Sequence, residues 1–176
     1  MLKIFVNTWG NYNTNGADGG EWVTLPMDAD ELGDLLDGIA ERMGDHDPEW
    51  AIHDYEWEAV ELFEVGEYDT PHAINELLEV CEGMEEYELQ EVAAAIEAYN
   101  YEFSEAVERQ QRGCFIFYAG RTMEEVAEEI ADEMIACYTH GGNVPEIFTR
   151  YFDYEAFARD LSYDYTETSY GVILDN

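Results

Sequence analysis

The sequence predicts an α+β fold, built of three small packed units: an α+β unit, a helical unit and a second α+β unit. Three observations carry this expectation. Runs rich in β-branched and aromatic residues lie near both ends, with LKIFVNT, EWVTL and EWAIHDYEWE before residue 60 and CFIFYAG, SYDYTET and YGVIL after residue 113. Apolar residues recur at helical spacing between them. The chain is also 47% hydrophobic and 14% aromatic, a content that separates it from the disordered chains its acidity would otherwise suggest.

Strands are expected at 2–8 and 21–25, and the Gly/Asn-rich WGNYNTNGADGG between them reads as a connecting loop. Its glycines match neither the dinucleotide-binding nor the P-loop spacing, so no phosphate cradle is expected. Asp28 is placed to cap a helix through DADELGDLLDGIAERM, where Leu32, Leu35, Leu36 and Ile39 share a face. A strand over 49–58 closes the first unit, residues 1–60. In the second unit, 61–112, Thr70 caps a helix and Pro71 takes its first position. Ile74, Leu77, Leu78 and Cys81 form its apolar stripe, and Gly83 ends it. A second helix runs from about 85 to 98 through Tyr87, Leu89, Val92, Ala95 and Ile96, and a third spans 104–111.

The third unit, 113–176, begins with the strand 114–120. Thr122 and Glu125 then form a capping box opening TMEEVAEEIADEMIACY, with Met123, Val126, Ile130, Met134 and Cys137 along one side. Gly141 and Gly142 stop that helix and Pro145 starts a short one. Asp153 caps YEAFARDL, and two closing strands follow.

Charge is the sharpest feature. Asp and Glu number 42 against 7 Lys and Arg, for a formal net charge of -35, and no Lys or Arg lies between Met43 and Glu108. Such a chain is repelled by nucleic acid, whose binding proteins neutralise phosphates with cations, so its partner should be basic. Net charge this far from zero opposes compaction and therefore needs a reason outside stability. Adaptation to high salt is one reason, and imitation of a polyanion is another. Carboxylates three or four residues apart on a helix lie about 5–6 Å from each other. Glu76, Glu79 and Glu82 fit such a row, as do Glu88 and Glu91, and Glu125, Glu129 and Asp132. At one charge per about 1.7 Å of duplex, 35 charges match roughly 60 Å of DNA. A compact chain of this length has a radius of gyration of only about 16 Å, so an imitator should be elongated or dimeric.

Other chemistries fit poorly. His46, His53, His72 and His140 are scattered, with no zinc-binding spacing, and DHDPE at 45–49 lacks the calcium-loop pattern, so no metal or other cofactor is expected. His53 beside Asp54 suggests a proton relay, but strand neighbours point to opposite faces and a packed histidine is the simpler reading. Forty-two acids provide carboxylate pairs at any separation, which empties the glycosidase signal. Glu155 lies four residues before Arg159, in the favourable orientation for an ion pair. Three widely spaced cysteines indicate no disulfide framework. The start lacks a signal-peptide pattern, and no apolar run approaches a membrane span, so a cytoplasmic protein without membrane contact is expected.

The residues also resemble the ArdA-type antirestriction proteins of bacterial mobile elements. The similarity covers nearly the whole chain: IFVNTWGNYN with its glycine-rich turn and GEWVTLP, AIHDYE (Ala51, Ile52, His53, Asp54, Tyr55, Glu56), the acidic middle, and YFDYEAFARDL leading to YGVI. Asp153, Tyr154, Glu155, Arg159 and Asp160 belong to the last motif. The resemblance implies a DNA mimic without enzymatic activity, binding type I restriction-modification enzymes at their methyltransferase and specificity-subunit core in place of DNA. It also implies an elongated three-part chain forming a homodimer. The aromatic run with Ile147, Phe148, Tyr151 and Phe152 is the expected joint, because Arg150 and Arg159 locally relieve repulsion there. An acidic chaperone or regulator of another basic nucleic-acid-binding protein is the alternative.

Overall fold

A computed structural model describes residues 1–66, 68–138 and 146–176, and the fold is α+β. The chain divides into two compact units, Met1–Glu86 and Tyr87–Asn176. Their boundary falls within the segment 61–112, so the first helix of that segment belongs to the first unit and the next two to the second.

The first unit is a three-stranded antiparallel sheet with helices on one face. Strand β1 (Leu2–Thr8) lies between β2 (Glu21–Leu25) and β3 (Trp50–Trp57). Leu2, Ile4 and Val6 alternate inward with Val23, Leu25 and Ile52, and they share the core with Leu32, Leu36, Ile39 and Ala40 of the helix α2 (Ala29–Met43). Asp28 caps α2, its carboxylate accepting from the Asp30 and Glu31 amides, and Gly44 ends it in the left-handed conformation. Helix α3 (Pro71–Glu79) starts at Thr70, whose hydroxyl accepts from the Ala73 amide, and buries Ile74 and Leu78. Buried Asn75 exchanges two hydrogen bonds with the backbone of Met27, at 2.8 and 2.9 Å, and so ties α3 to the end of β2.

Two features depart from the sequence expectation. Residues 9–15 of the expected loop form a short helix, α1 (Trp9–Asn15). Its entry is fixed by side chains: Thr8 Oγ1 accepts from the Asn11 amide, and the Asn11 amide group donates to buried Asn7 Oδ1 and to the Asp18 carbonyl. The second departure is a break in strand alternation. Phe5 pairs with Asp54 but Val6 with Ile52, which leaves His53 as the extra residue of a β-bulge. The bulge delivers His53 to α1, where it stacks on Tyr12 with centroids 4.0 Å apart and meets the Trp9 ring edge-on at 5.2 Å.

The second unit carries helices on both faces of its sheet. Strand β6 (Gly171–Asp175) lies between β4 (Phe115–Ala119) and β5 (Thr166–Thr168), all antiparallel. Helices α6 (Met123–Tyr138) and α8 (Tyr154–Leu161) cover one face, burying Met123, Val126, Ala127 and Ala158 around Val172. Helices α4 (Glu86–Tyr99) and α5 (Phe103–Gln111) are tied to β6 by polar contacts. Tyr99 donates to the Ile173 carbonyl, Tyr101 donates to Asp175, and Arg109 pairs with Asp175 at 3.2 Å while lying over the Tyr101 ring. The capping box forms as expected, with Thr122 and Glu125 exchanging amide hydrogen bonds. The expected stop at Gly141 and Gly142 and the start at Pro145 lie outside the described residues, and α7 is described over Glu146–Tyr151.

Candidate functional site

The acidic rows are products of helical geometry. On α3 the buried Ile74 and Leu78 fix the outward direction, so Glu76 and Glu79 are exposed, and the turn after the helix keeps the spacing by a hydrogen bond from the Glu82 amide to the Glu79 carbonyl. Glu76, Glu79 and Glu82 form no ion pair among the described residues. The other rows are more entangled. Glu88 and Glu91 on α4 are half-buried, and burial holds the Glu91 carboxyl above its ordinary pKa, opposed by a hydrogen bond from Gln110 and reinforced by Glu88. On α6, Glu125 closes the capping box, Glu129 pairs with Arg121 at 3.7 Å, and Asp132 accepts from the Tyr154 hydroxyl at 3.1 Å. All three remain exposed.

A further row lies on α2. Asp30, Asp34, Asp37 and Glu41, spaced by four, three and four residues, are all exposed opposite the buried Leu32, Leu36 and Ile39. Its signal in the sequence is the same helical spacing that marks the rows on α3 and α6. From Asp30 to Glu41 the helix rises roughly 16 Å, or about one charge per 5.5 Å. A single DNA strand carries one charge per about 3.4 Å, so the row on one helix face is sparser than a DNA strand.

Six of the seven cations are already committed. Lys3 pairs with Glu58, Arg42 with Glu21, Arg109 with Asp175, Arg112 with Glu108, Arg121 with Glu129 and Arg159 with Glu155. The first unit holds 23 acids against two bases, Lys3 and Arg42, and the second 19 acids against five. Among the described residues no cluster of His, Cys, Asp and Glu is arranged to hold a metal ion, and no helix is long and apolar enough to cross a membrane.

The motif residues are largely architectural. Ala51 and Ile52 are buried, His53 packs on α1, Tyr55 is half-buried, and Asp54 and Glu56 are exposed. In the later motif Asp153 caps α8 by accepting from the Ala156 amide, Tyr154 reaches α6, and Glu155 and Arg159 pair at 3.1 Å. Asp160 is exposed. Tyr151 is exposed and Phe152 packs on Tyr154 and Phe157, while the side chains of Ile147 and Phe148 lie outside the described residues.

Together these features define an acidic α+β protein whose outward chemistry is carboxylate rows on helices. The family model described as antirestriction protein (ArdA) matches residues 4–174. The chain belongs to this ArdA antirestriction family, and its function is antirestriction. No curated relative matches the chain.

Proposed function

We propose that the protein blocks type I restriction-modification enzymes by standing in for duplex DNA. The observation that carries this reading is the set of exposed acidic rows on α2, α3 and α6 in a chain of which six of the seven cations are already paired. A groove shaped for phosphates presents lysines and arginines, and carboxylates at 5–6 Å intervals meet them with complementary charge. The target is the DNA groove of the methyltransferase and specificity core, inhibition is competitive, and the protein turns nothing over. The mimic surface comprises Glu76, Glu79, Glu82, Glu125, Glu129 and Asp132 with the α2 row, and Glu88 and Glu91 contribute from its edge.

The active form is a homodimer in the cytoplasm of a bacterial host. Two chains span more of a groove than one, and apolar groups on the second unit support a joint there: Tyr151 is 77% exposed, and Met134, expected in the buried stripe of α6, is 47% exposed.

The deciding experiment is cleavage of unmodified DNA by a purified type I enzyme, titrated with the protein at several DNA concentrations. Inhibition should be relieved by excess DNA and by salt. Inhibition that persists at saturating DNA, or equal binding to unrelated basic proteins, would overturn the reading.

A further inference from the structure

The two sheets differ in how they are covered. Helices lie on both faces of the second, whereas the outer face of the first carries Lys3, Phe5, Trp22, Thr24, Asp54 and Glu56. In its middle row the register places Trp22, Phe5 and Asp54 side by side across β2, β1 and β3. The Phe5 and Trp22 rings lie 5.5 Å apart, and Trp22 is 51% exposed. The Gly20 backbone lies close to the outer end of the Phe5 ring, where an added Cβ would fall 2.5 Å from Cζ.

We infer that this face is a second contact with the basic partner, in which an arginine stacks on the Phe5 and Trp22 rings while donating to the Asp54 carboxylate. The inference rests on the proposed role of the acidic surface in binding a basic protein, and it adds an anchor of a different kind. A guanidinium suits the row because it is planar, stacks on aromatic faces and keeps donors free at its edge. Cross-strand neighbours lie about 5 Å apart, so a group over Phe5 reaches Asp54. Asp54 and Glu56 have no cation of their own among the described residues. In the adjacent row Lys3 is already held on the same face by Glu58 at 3.1 Å, so the face accommodates a cation beside it. A second copy of this chain is disfavoured as the occupant, because its matching face belongs to a unit with 23 acids and two bases.

Calorimetric titration with hexa-arginine and hexa-lysine peptides tests the inference without reference to antirestriction. The wild-type protein should bind hexa-arginine about two- to fivefold more tightly than hexa-lysine, the scale of an exposed cation–π contact. Trp22→Ala and the isosteric Asp54→Asn should abolish the preference while binding both peptides through the remaining carboxylates, and Trp22→Phe should retain it. Circular dichroism establishes that each variant is folded. An undiminished preference in folded Trp22→Ala and Asp54→Asn would overturn the inference, as would loss of a wild-type dimer in Trp22→Ala, which would assign the face to a second copy. In the cleavage assay at salt high enough to screen the acidic rows, Trp22→Ala should need about fivefold more protein for half inhibition. A wild-type protein that does not inhibit at all would sink the antirestriction mechanism and leave the peptide result to decide the arginine contact.

Discussion

Replacing Asp37 with lysine should make the protein more stable and a poorer inhibitor. Asp37 is exposed in the middle of α2, three residues after Asp34 and four before Glu41. Each like-charge pair at this spacing costs about 0.2–0.5 kcal/mol, and an opposite pair contributes about as much, so reversing two contacts is worth about 0.8–2 kcal/mol. In a unit the size of 1–86 this corresponds to a rise in melting temperature on the order of 5–10 °C. Thermal denaturation followed by circular dichroism measures it, and added salt should shrink the gain. The cleavage assay at the same salt concentrations should show weaker inhibition, most clearly at low salt. Gly33→Ala on the same helix is the control, because its new Cβ would meet nothing within 4 Å. It should stabilise by about 0.5–1 kcal/mol without changing a charge, and so leave inhibition intact. A stabilised Asp37→Lys protein that inhibits as well as wild type would refute the placement of α2 in the contact surface and favour salt adaptation. A destabilised one would refute the repulsion argument itself.

Glu79→Gln alone should alter inhibition only slightly, because single exposed contacts contribute about 0–1 kcal/mol, whereas replacing Glu76, Glu79, Glu82, Glu88 and Glu91 together should weaken inhibition and flatten its salt dependence. One single change that abolishes activity in a folded protein would point to a local site instead. Glu91→Gln should stabilise at pH 7: burial raises the Glu91 pKa in the folded state, so its charge opposes folding above that value, and the cost fades as pH falls through it. Urea denaturation at neutral pH and below pH 4.5 should show a gain only in the first. Gly171→Ala should destabilise the second unit by on the order of 3 kcal/mol, since the new Cβ would lie 2.2 Å from the Tyr118 carbonyl oxygen at a φ of 142°. A denaturation midpoint unchanged from wild type would contradict the β4–β6 register.

Much of the fold is legible in the sequence because its signals are local. Asp28, Thr70 with Pro71, Thr122 with Glu125, and Asp153 each announce a helix start through the atoms that later make the cap. What escapes is held by distant or irregular contacts. Asn and Gly in WGNYN speak for a turn, and only the Asn7, Thr8 and Asn11 hydrogen bonds make the segment helical. A strict two-residue alternation cannot reveal a bulge, so His53 is placed correctly only once β1 and β3 are paired. Helical spacing likewise marks the stripe of α6 without saying where its cover ends, which is why Met134 and Cys137 prove exposed. The carboxylate rows were readable as directions on a helix. Their internal partners, Gln110 for Glu91, Arg121 for Glu129 and Tyr154 for Asp132, were not.

The acids with architectural tasks can be separated from those without, and the division bears on why the charge is there. Asp28 and Asp153 cap helices, Glu97 accepts from Ser169 in the turn before β6, and Asp175 anchors Tyr101 and Arg109. Asp30 and Glu31 lie in the first turn of α2, where the helix dipole favours negative charge. Glu41 and Glu79 occupy the opposite end of α2 and α3, where a carboxylate is disfavoured by about 0.3–1 kcal/mol and lysine or arginine would be stabilising. Asp34 and Asp37 add repulsion along the same face. These positions oppose stability individually, and all are exposed. A chain selected for folding alone would have placed cations at more of them, as it does with Arg42, Arg109 and Arg159 in the last turns of α2, α5 and α8. Arg42 is the one cation in the last turns of α2 and α3, and it is taken up by Glu21. Glu79 and the repulsion between Asp34 and Asp37 therefore have no stabilising task within the fold, which argues that the acidic rows of the first unit are kept for a partner outside it.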